Sequence, residues 1–166
     1  MEGVIIRAPR VGDGAAVAET QRDSSGHLAE LAPALFRAVT AGDQETRLER
    51  LMLDRPNPDA LFRIAEVDGR VVGYIYAVLQ HPDENAERQT VRYLGQTRLW
   101  INSLAVRTAY HRRGIATHLM AAAEEWGRAH GAELVRLDTW ADSPESVPFY
   151  EKIGYQRRAI IFEKDL

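Results

Sequence analysis

The stretch from Leu99 to His130 constrains this chain more than any other. A run of strand formers, Leu99-Trp100-Ile101-Asn102-Ser103-Leu104-Ala105-Val106, is followed by a short basic turn, Tyr110-His111-Arg112-Arg113-Gly114. A helical pattern then runs from Ile115 to His130, with Ile115, Leu119, Ala122 and Trp126 on one apolar stripe. Gly131 is its natural C-cap, and Glu133 to Trp140 reads as the next strand. Val106 to Glu133 is therefore a strand–helix–strand unit with parallel strands, which predicts a layered α/β domain. The turn lies at the carboxyl end of its strand, where open α/β sheets bind ligands. The first N–H groups of a helix lack intrahelical partners, and the helix dipole favours an anion there. Gly114 has no Cβ to hold a ligand away from the main chain. Arg107, Arg112 and Arg113 gather here although the net charge is −3.

The rest of the chain fills in the layers. Val4 to Arg7 reads as a first strand, and Asp13 as the N-cap of a helix from Gly14 to about Gln21 that breaks at Ser24-Ser25-Gly26. Leu28, Leu31, Leu35 and Val39 predict a second helix, with Pro33 tolerated only near its start. Asp43 caps a third, carrying Leu48, Leu51 and Met52 and stopped by Arg55-Pro56-Asn57-Pro58-Asp59. Leu61 to Val67 and Val71 to Leu79 form a hairpin about Asp68-Gly69. His81 to Gln96 is polar and aperiodic and reads as a long loop. A short helix starts at Ser143-Pro144 and ends at Gly154, and Tyr155 to Phe162 reads as the last strand. The expected fold is one α/β domain over residues 1–166, a mixed central sheet flanked by helices.

Several function classes fall away. A mildly acidic chain lacks the broad basic face of a nucleic-acid binder. No apolar run reaches membrane-spanning length, and the N-terminus lacks the order of a secretory signal, so a cytoplasmic protein is expected. There is no cysteine, hence no thiol nucleophile, disulfide or thiolate ligand. His81, His111, His118 and His130 show no spacing that predicts a metal site. No Gly-x-Gly-x-x-Gly is present, and no Gly-Lys-Ser/Thr follows Gly114, which disfavours dinucleotides and nucleoside triphosphates.

Four segments together carry a resemblance to the GCN5-related N-acetyltransferases, the GNAT family. They are the hairpin Glu66-Val67-Asp68-Gly69-Arg70-Val71-Val72-Gly73-Tyr74, the strand end Leu104-Ala105-Val106, the turn His111-Arg112-Arg113-Gly114-Ile115-Ala116, and Phe149-Tyr150-Glu151-Lys152-Ile153-Gly154-Tyr155. The resemblance implies acetyl-CoA as co-substrate and no metal. The backbone of Leu104, Ala105 and Val106 would pair with the pantetheine arm as with an added strand. The N–H groups of Arg112, Arg113, Gly114, Ile115, Ala116 and Thr117 would hold the pyrophosphate, with the Thr117 hydroxyl adding a contact. Tyr150 would protonate the leaving thiolate. The chain departs from the pattern at His111, where the family has Arg or Gln, and at Ser143, where many members have Asn. No Glu lies between Arg98 and Val106, where some members keep a general base.

The residues themselves leave alternatives open. Tyr150 is the expected acid, against a packing aromatic with a bonded hydroxyl. Asn102, taken as sharing a strand face with Leu104, either holds a proton-relaying water or is satisfied by backbone. His81, Asp83 and Glu84 are either solvated loop charges or substrate contacts, and Tyr76 and Trp140 either core or pocket wall. The expected activity is direct acetyl transfer to a primary amine of a small molecule, peptide or protein. The alternatives are a non-catalytic coenzyme A-binding module and a transferase for another acyl-CoA. Members of the family often form homodimers, and no motif here marks an interface.

Overall fold

Asp68 and Gly69 both adopt positive φ, 49° and 73°, the geometry of a two-residue hairpin turn. That turn sets Val67 opposite Arg70 and fixes the register of two long strands, β2 (Ala60–Val67) and β3 (Arg70–Gln80). In the computed structural model, which describes residues 3–40, 44–54 and 57–164, these strands form the middle of a five-stranded sheet. β1 (Val4–Arg7) pairs antiparallel with β2, and β4 (Arg98–Val106) antiparallel with β3. β5 (Leu134–Arg136) joins β4 in parallel, as the strand–helix–strand reading requires. Chain packing divides the molecule into two compact units, 1–136 and 137–166. The sheet belongs to the first.

Helices cover both faces of this mixed sheet. α1 (Gly14–Leu31) and α2 (Gln44–Glu49, followed by a π-helical turn, Arg50–Asp54) bury Val17, Ala18 and Leu48 against Phe62, Ile64, Tyr74 and Ala105. α3 (Ile115–Ala129) lies on the opposite face and buries Ile115, Leu119, Met120 and Ala123. Close approach needs glycine twice. A Cβ on Gly127 would meet Leu99 Cδ2 at 2.9 Å, and one on Gly73 would meet the Ala105 carbonyl oxygen at 2.9 Å. Both contacts fix β4, the strand that leads to the basic turn.

The structure departs from these expectations in five places. α1 does not break at Ser24-Ser25-Gly26: it runs unbroken to Leu31. The Ser25 hydroxyl bonds back to the Arg22 carbonyl at 3.0 Å, and contacts from this half of α1 to the rest of the fold outweigh the propensity cost of one glycine. Of the helix expected over Leu28, Leu31, Leu35 and Val39, Leu28 and Leu31 belong to the end of α1, while Leu35 and Val39 are not helical, because α1 ends ahead of Pro33, whose ring cannot continue it. The Asp43 cap and the Arg55-Pro56 stop lie outside the described residues. Asp13 does occupy the N-cap of α1, but its carboxylate bonds elsewhere. In the second unit Tyr155 to Phe162 is not a strand, and Ile160, Ile161 and Phe162 are exposed. β-favouring composition expresses itself only against a partner strand, and this unit's described residues contain none. For the same reason β5 is three residues long where eight were expected. No helix among the described residues is long and apolar enough to cross a membrane.

The Asp13 carboxylate accepts from Arg7 at 2.7 and 2.9 Å and from the Arg10 N–H at 2.7 Å, while Arg7 also donates to Glu66 at 2.6 Å. These bonds tie β1 and β2 to the start of α1. The Arg7 bond holds the Asp13 carboxyl below its ordinary value of 3.8. A depressed folded pKa contributes stability above the unfolded value, and that stability is lost as pH falls through the folded one. Asp13→Asn is therefore expected to cost about 2 kcal/mol at neutral pH. Its deficit relative to wild type shrinks as the medium is acidified below 3.8. Urea unfolding across pH checks both parts.

Candidate functional site

β4 is the strand on which the first unit's site is built. It pairs with β3 along its length but with β5 only over Arg98, Leu99 and Trp100. On the β5 side, the backbone from Ile101 to Val106 forms no ladder among the described residues. Leu104, Ala105 and Val106 all lie in this stretch. Tyr76 pairs with Ser103 and Ala77 with Ile101, so Asn102 is an extra residue, a β-bulge. A bulge breaks the two-residue alternation, and Asn102 is exposed rather than buried on a shared face with Leu104. Beside it the Ser103 hydroxyl donates to Tyr74 at 3.2 Å, and burial raises the Tyr74 phenol pKa despite that bond.

Beyond Val106 a 3₁₀ turn (Thr108–Tyr110) leads into the basic turn. The His111 ring bonds through Nε2 to the Val106 carbonyl at 2.9 Å. A carbonyl only accepts, so this nitrogen carries the proton. One lone pair of the Val106 oxygen is thus engaged from within. Arg112 and Gly114 both adopt positive φ, 60° and 77°, which turns the chain into α3 with Gly114 as N-cap. The first helical bond runs from the His118 N–H to the Gly114 carbonyl at 3.1 Å. Among the described residues, the N–H groups of Gly114, Ile115, Ala116 and Thr117 have no hydrogen-bond acceptor. Four free donors point out of one helix end. Arg112 is exposed beside them, and Arg113 lies over the Tyr110 ring at 5.1 Å. Thr117 is exposed, Ala116 half-buried, and Ile115 buried into the core. Arg107 leaves the cluster: its guanidinium pairs with Glu19 of α1 at 2.5 Å.

The loop residues have internal duties. His81 faces Asp59 at 3.2 Å, and Asp83 accepts from the buried Arg98 at 3.3 Å. Arg98 also donates to Gln80 and to the carbonyls of Tyr93 and Gln96, pinning the long loop to the sheet. Glu84 is exposed. Tyr76 packs at the edge of the aromatic cluster, 6.0 Å from Phe62.

The second unit holds Ser143, Trp140 and Tyr150. Ser143 is buried and accepts the Ser146 N–H at 3.0 Å, so it caps the turn into α4 (Ser146–Lys152). Trp140 is half-buried and lies outside any strand. Tyr150 sits on α4 between Phe149 and Tyr155, with ring centroids 5.0 and 5.8 Å away. Burial, with the Asp138 carboxylate adding to it, pushes its phenol pKa up to about 12. At neutral pH it is a protonated donor.

A strand edge without a ladder, followed by the unpaired N–H groups of a helix start, is the order that the sequence pattern gives, and a model of the acetyltransferase (GNAT) family matches residues 28–155. The chain belongs to the GNAT acetyltransferase family. An N-alpha-acetyltransferase of Sulfurisphaera tokodaii is 29% identical to this GNAT protein over 136 residues, 74% of this chain and 79% of that one. Glucosamine-6-phosphate N-acetyltransferase from Arabidopsis thaliana shares the fold, with a TM-score of 0.65 at 17% identity over 99% of both chains. So does AAC(6')-Iy, solved with the bisubstrate analogue CoA-S-monomethyl-acetylneamine, with a TM-score of 0.64 at 19% identity over 98% of this chain and 99% of that one. The bulge at Asn102 and the contacts from α1 to residues 107–111 escaped the sequence reading, since neither leaves a local composition signal.

Proposed function

We propose that this GNAT protein is an acetyl-CoA-dependent N-acetyltransferase that works as one domain over residues 1–166. The observation that carries the reading is the pair of open backbone features on consecutive elements, the unladdered edge of β4 and the four free N–H groups at Gly114–Thr117. A pantetheine arm offers amides to the first, and a pyrophosphate suits the second. Arg112 and Arg113 add cationic contacts. The acceptor is a primary amine of a small molecule, peptide or protein, consistent with the substrates named for its relatives.

In direct transfer the amine nitrogen bonds to the thioester carbon, and the C–S bond breaks with its electron pair on sulfur. No cysteine is present to carry an acyl intermediate. The amine must be neutral to attack, and as the N–C bond forms the nitrogen gives up one more proton; Asn102, exposed at the bulge, holds the water that passes it to solvent, from which the released thiolate is protonated. Backbone N–H groups of β4 face the developing oxyanion. Tyr150 serves the departing sulfur. With its pKa near 12 and a free thiol near 8.5, complete proton transfer is uphill by roughly 5 kcal/mol. Its contribution is therefore a hydrogen bond that strengthens as charge builds on sulfur. Ser143, whose hydroxyl oxygen accepts the Ser146 N–H, keeps its proton to donate to the coenzyme A moiety.

Calorimetric titration with acetyl-CoA tests this reading, followed by thiol release with amine acceptors. Saturable binding and acceptor-dependent release are expected; a folded protein that binds no acetyl-CoA would reject it. The lack of Glu on β4 favours one other reading, a coenzyme A-binding module without turnover. Binding without release for any amine would decide for that.

A further inference from the structure

Glu19, Thr20, Asp23 and His27 recur at helical spacing and share one flank of α1. That flank meets the segment joining β4 to the anion cradle, residue by residue. Arg107 pairs with Glu19 at 2.5 Å and donates through Nε to the Thr20 hydroxyl at 3.3 Å. The Asp23 carboxylate accepts the Thr108 N–H at 2.7 Å and the Thr108 hydroxyl at 3.1 Å. The His27 ring meets the His111 ring edge-on at 5.4 Å. His111 in turn holds the Val106 carbonyl. Within the segment, Arg107, Thr108 and His111 are thus fastened to α1, and His111 to the strand end as well. The three residues after His111 reach Gly114 through the strained, left-handed Arg112.

Asp23 is the odd member. Six residues before Gly114, its bonding partner Thr108 stands close along the chain to a proposed pyrophosphate site, where a carboxylate by charge alone weakens anion binding. A residue that opposes the ligand electrostatically and spends both oxygens on one loop residue acts through geometry. We propose that Asp23 is a positioning residue, and that the α1 flank Glu19–His27 sets the aim of the pyrophosphate cradle by clamping Arg107, Thr108 and His111. The inference rests on the acetyl-CoA reading and deepens it. It also gives a reason for α1 to run through Ser24-Ser25-Gly26, since a break there would release His27 from the clamp.

The test compares two ligands in folded protein, acetyl-CoA and S-acetylpantetheine, which has the arm and thioester but no pyrophosphate. Asp23→Ala is expected to bind acetyl-CoA about tenfold more weakly, the scale of one lost charge-assisted hydrogen bond, with S-acetylpantetheine affinity unchanged. Asp23→Asn, which keeps an acceptor for the Thr108 N–H and a donor for its hydroxyl, stays within about threefold of wild type. If Asp23→Ala does not fold, Thr108→Val carries the same comparison with a loss of about threefold. Tighter or unchanged acetyl-CoA binding overturns the inference, and so does an equal loss for both ligands. A wild-type protein that takes neither ligand overturns the acetyl-CoA reading, and this inference with it.

Discussion

Tyr150→Phe is expected to lower turnover about a hundredfold while acetyl-CoA affinity stays within about twofold of wild type. The substitution deletes one hydroxyl and keeps the ring that lies between Phe149 and Tyr155, so α4 should retain its packing. The lost quantity is a hydrogen bond worth little to the neutral thioester and much to a sulfur gaining charge. Such a bond shows in kcat and hardly in ground-state binding. A phenol with its pKa near 12 also predicts the pH profile. The donor stays protonated through the neutral and mildly alkaline range, and its loss sets in only as pH approaches 12. Any fall in rate between about pH 6 and 10 belongs to another group. Steady-state thiol release, with calorimetry on the same samples, measures both quantities. Unchanged turnover removes Tyr150 from the chemistry, whereas a matching loss of affinity makes it a binding residue.

Gly114→Glu should abolish measurable acetyl-CoA binding, a loss of more than about a hundredfold. Two effects arise. A side chain at φ 77° is strained by roughly 1–2 kcal/mol. The new carboxylate would also stand among the four free N–H groups and repel the pyrophosphate. At about 4 Å in a medium of effective dielectric ~20, one such pair of charges costs about 4 kcal/mol. A negative charge at the start of α3 favours the helix itself, which offsets part of the strain and keeps the variant folded. Gly114→Ala separates the contributions, since it carries the strain alone: strain present with and without ligand lowers stability and leaves affinity within about threefold. Circular dichroism confirms the fold and calorimetry reads the affinity. Wild-type affinity in Gly114→Glu would place the anion elsewhere.

Where a segment's conformation is decided by its own chemistry, it was legible. Asp68-Gly69 demands a tight hairpin, and β4 and α3 emerge with bounds within one residue of those read from the chain. Gly114 was recognisable as a turn because the free N–H groups of a helix start follow from backbone geometry alone. What tertiary contacts decide was not legible. Ser24-Ser25-Gly26 carries every local mark of a break, yet the Asp23 and His27 contacts hold the helix through it. Tyr155 to Phe162 carries every local mark of a strand, yet forms none. Arg107 reads from the sequence only as one of three cations gathered at the turn, and only the register of α1 shows that Glu19 claims it. Asn102 was singled out for its polarity, but its exposure comes from a bulge that depends on how β3 and β4 pair.

The half-laddered β4 has a consequence for the lifetime of the molecule. Six residues of strand whose second row of backbone groups has no ladder among the described residues form an edge that invites association with any extended chain. An amide-bearing arm seated there acts as a removable guard strand. At a hundred times its Kd a ligand of the folded state adds about 2.7 kcal/mol. Purified protein kept without acetyl-CoA should then exchange the β4 amides faster, aggregate sooner and yield to proteases earlier than protein kept with it. Shelf life, and turnover in a cell, would follow the supply of the donor proposed for it.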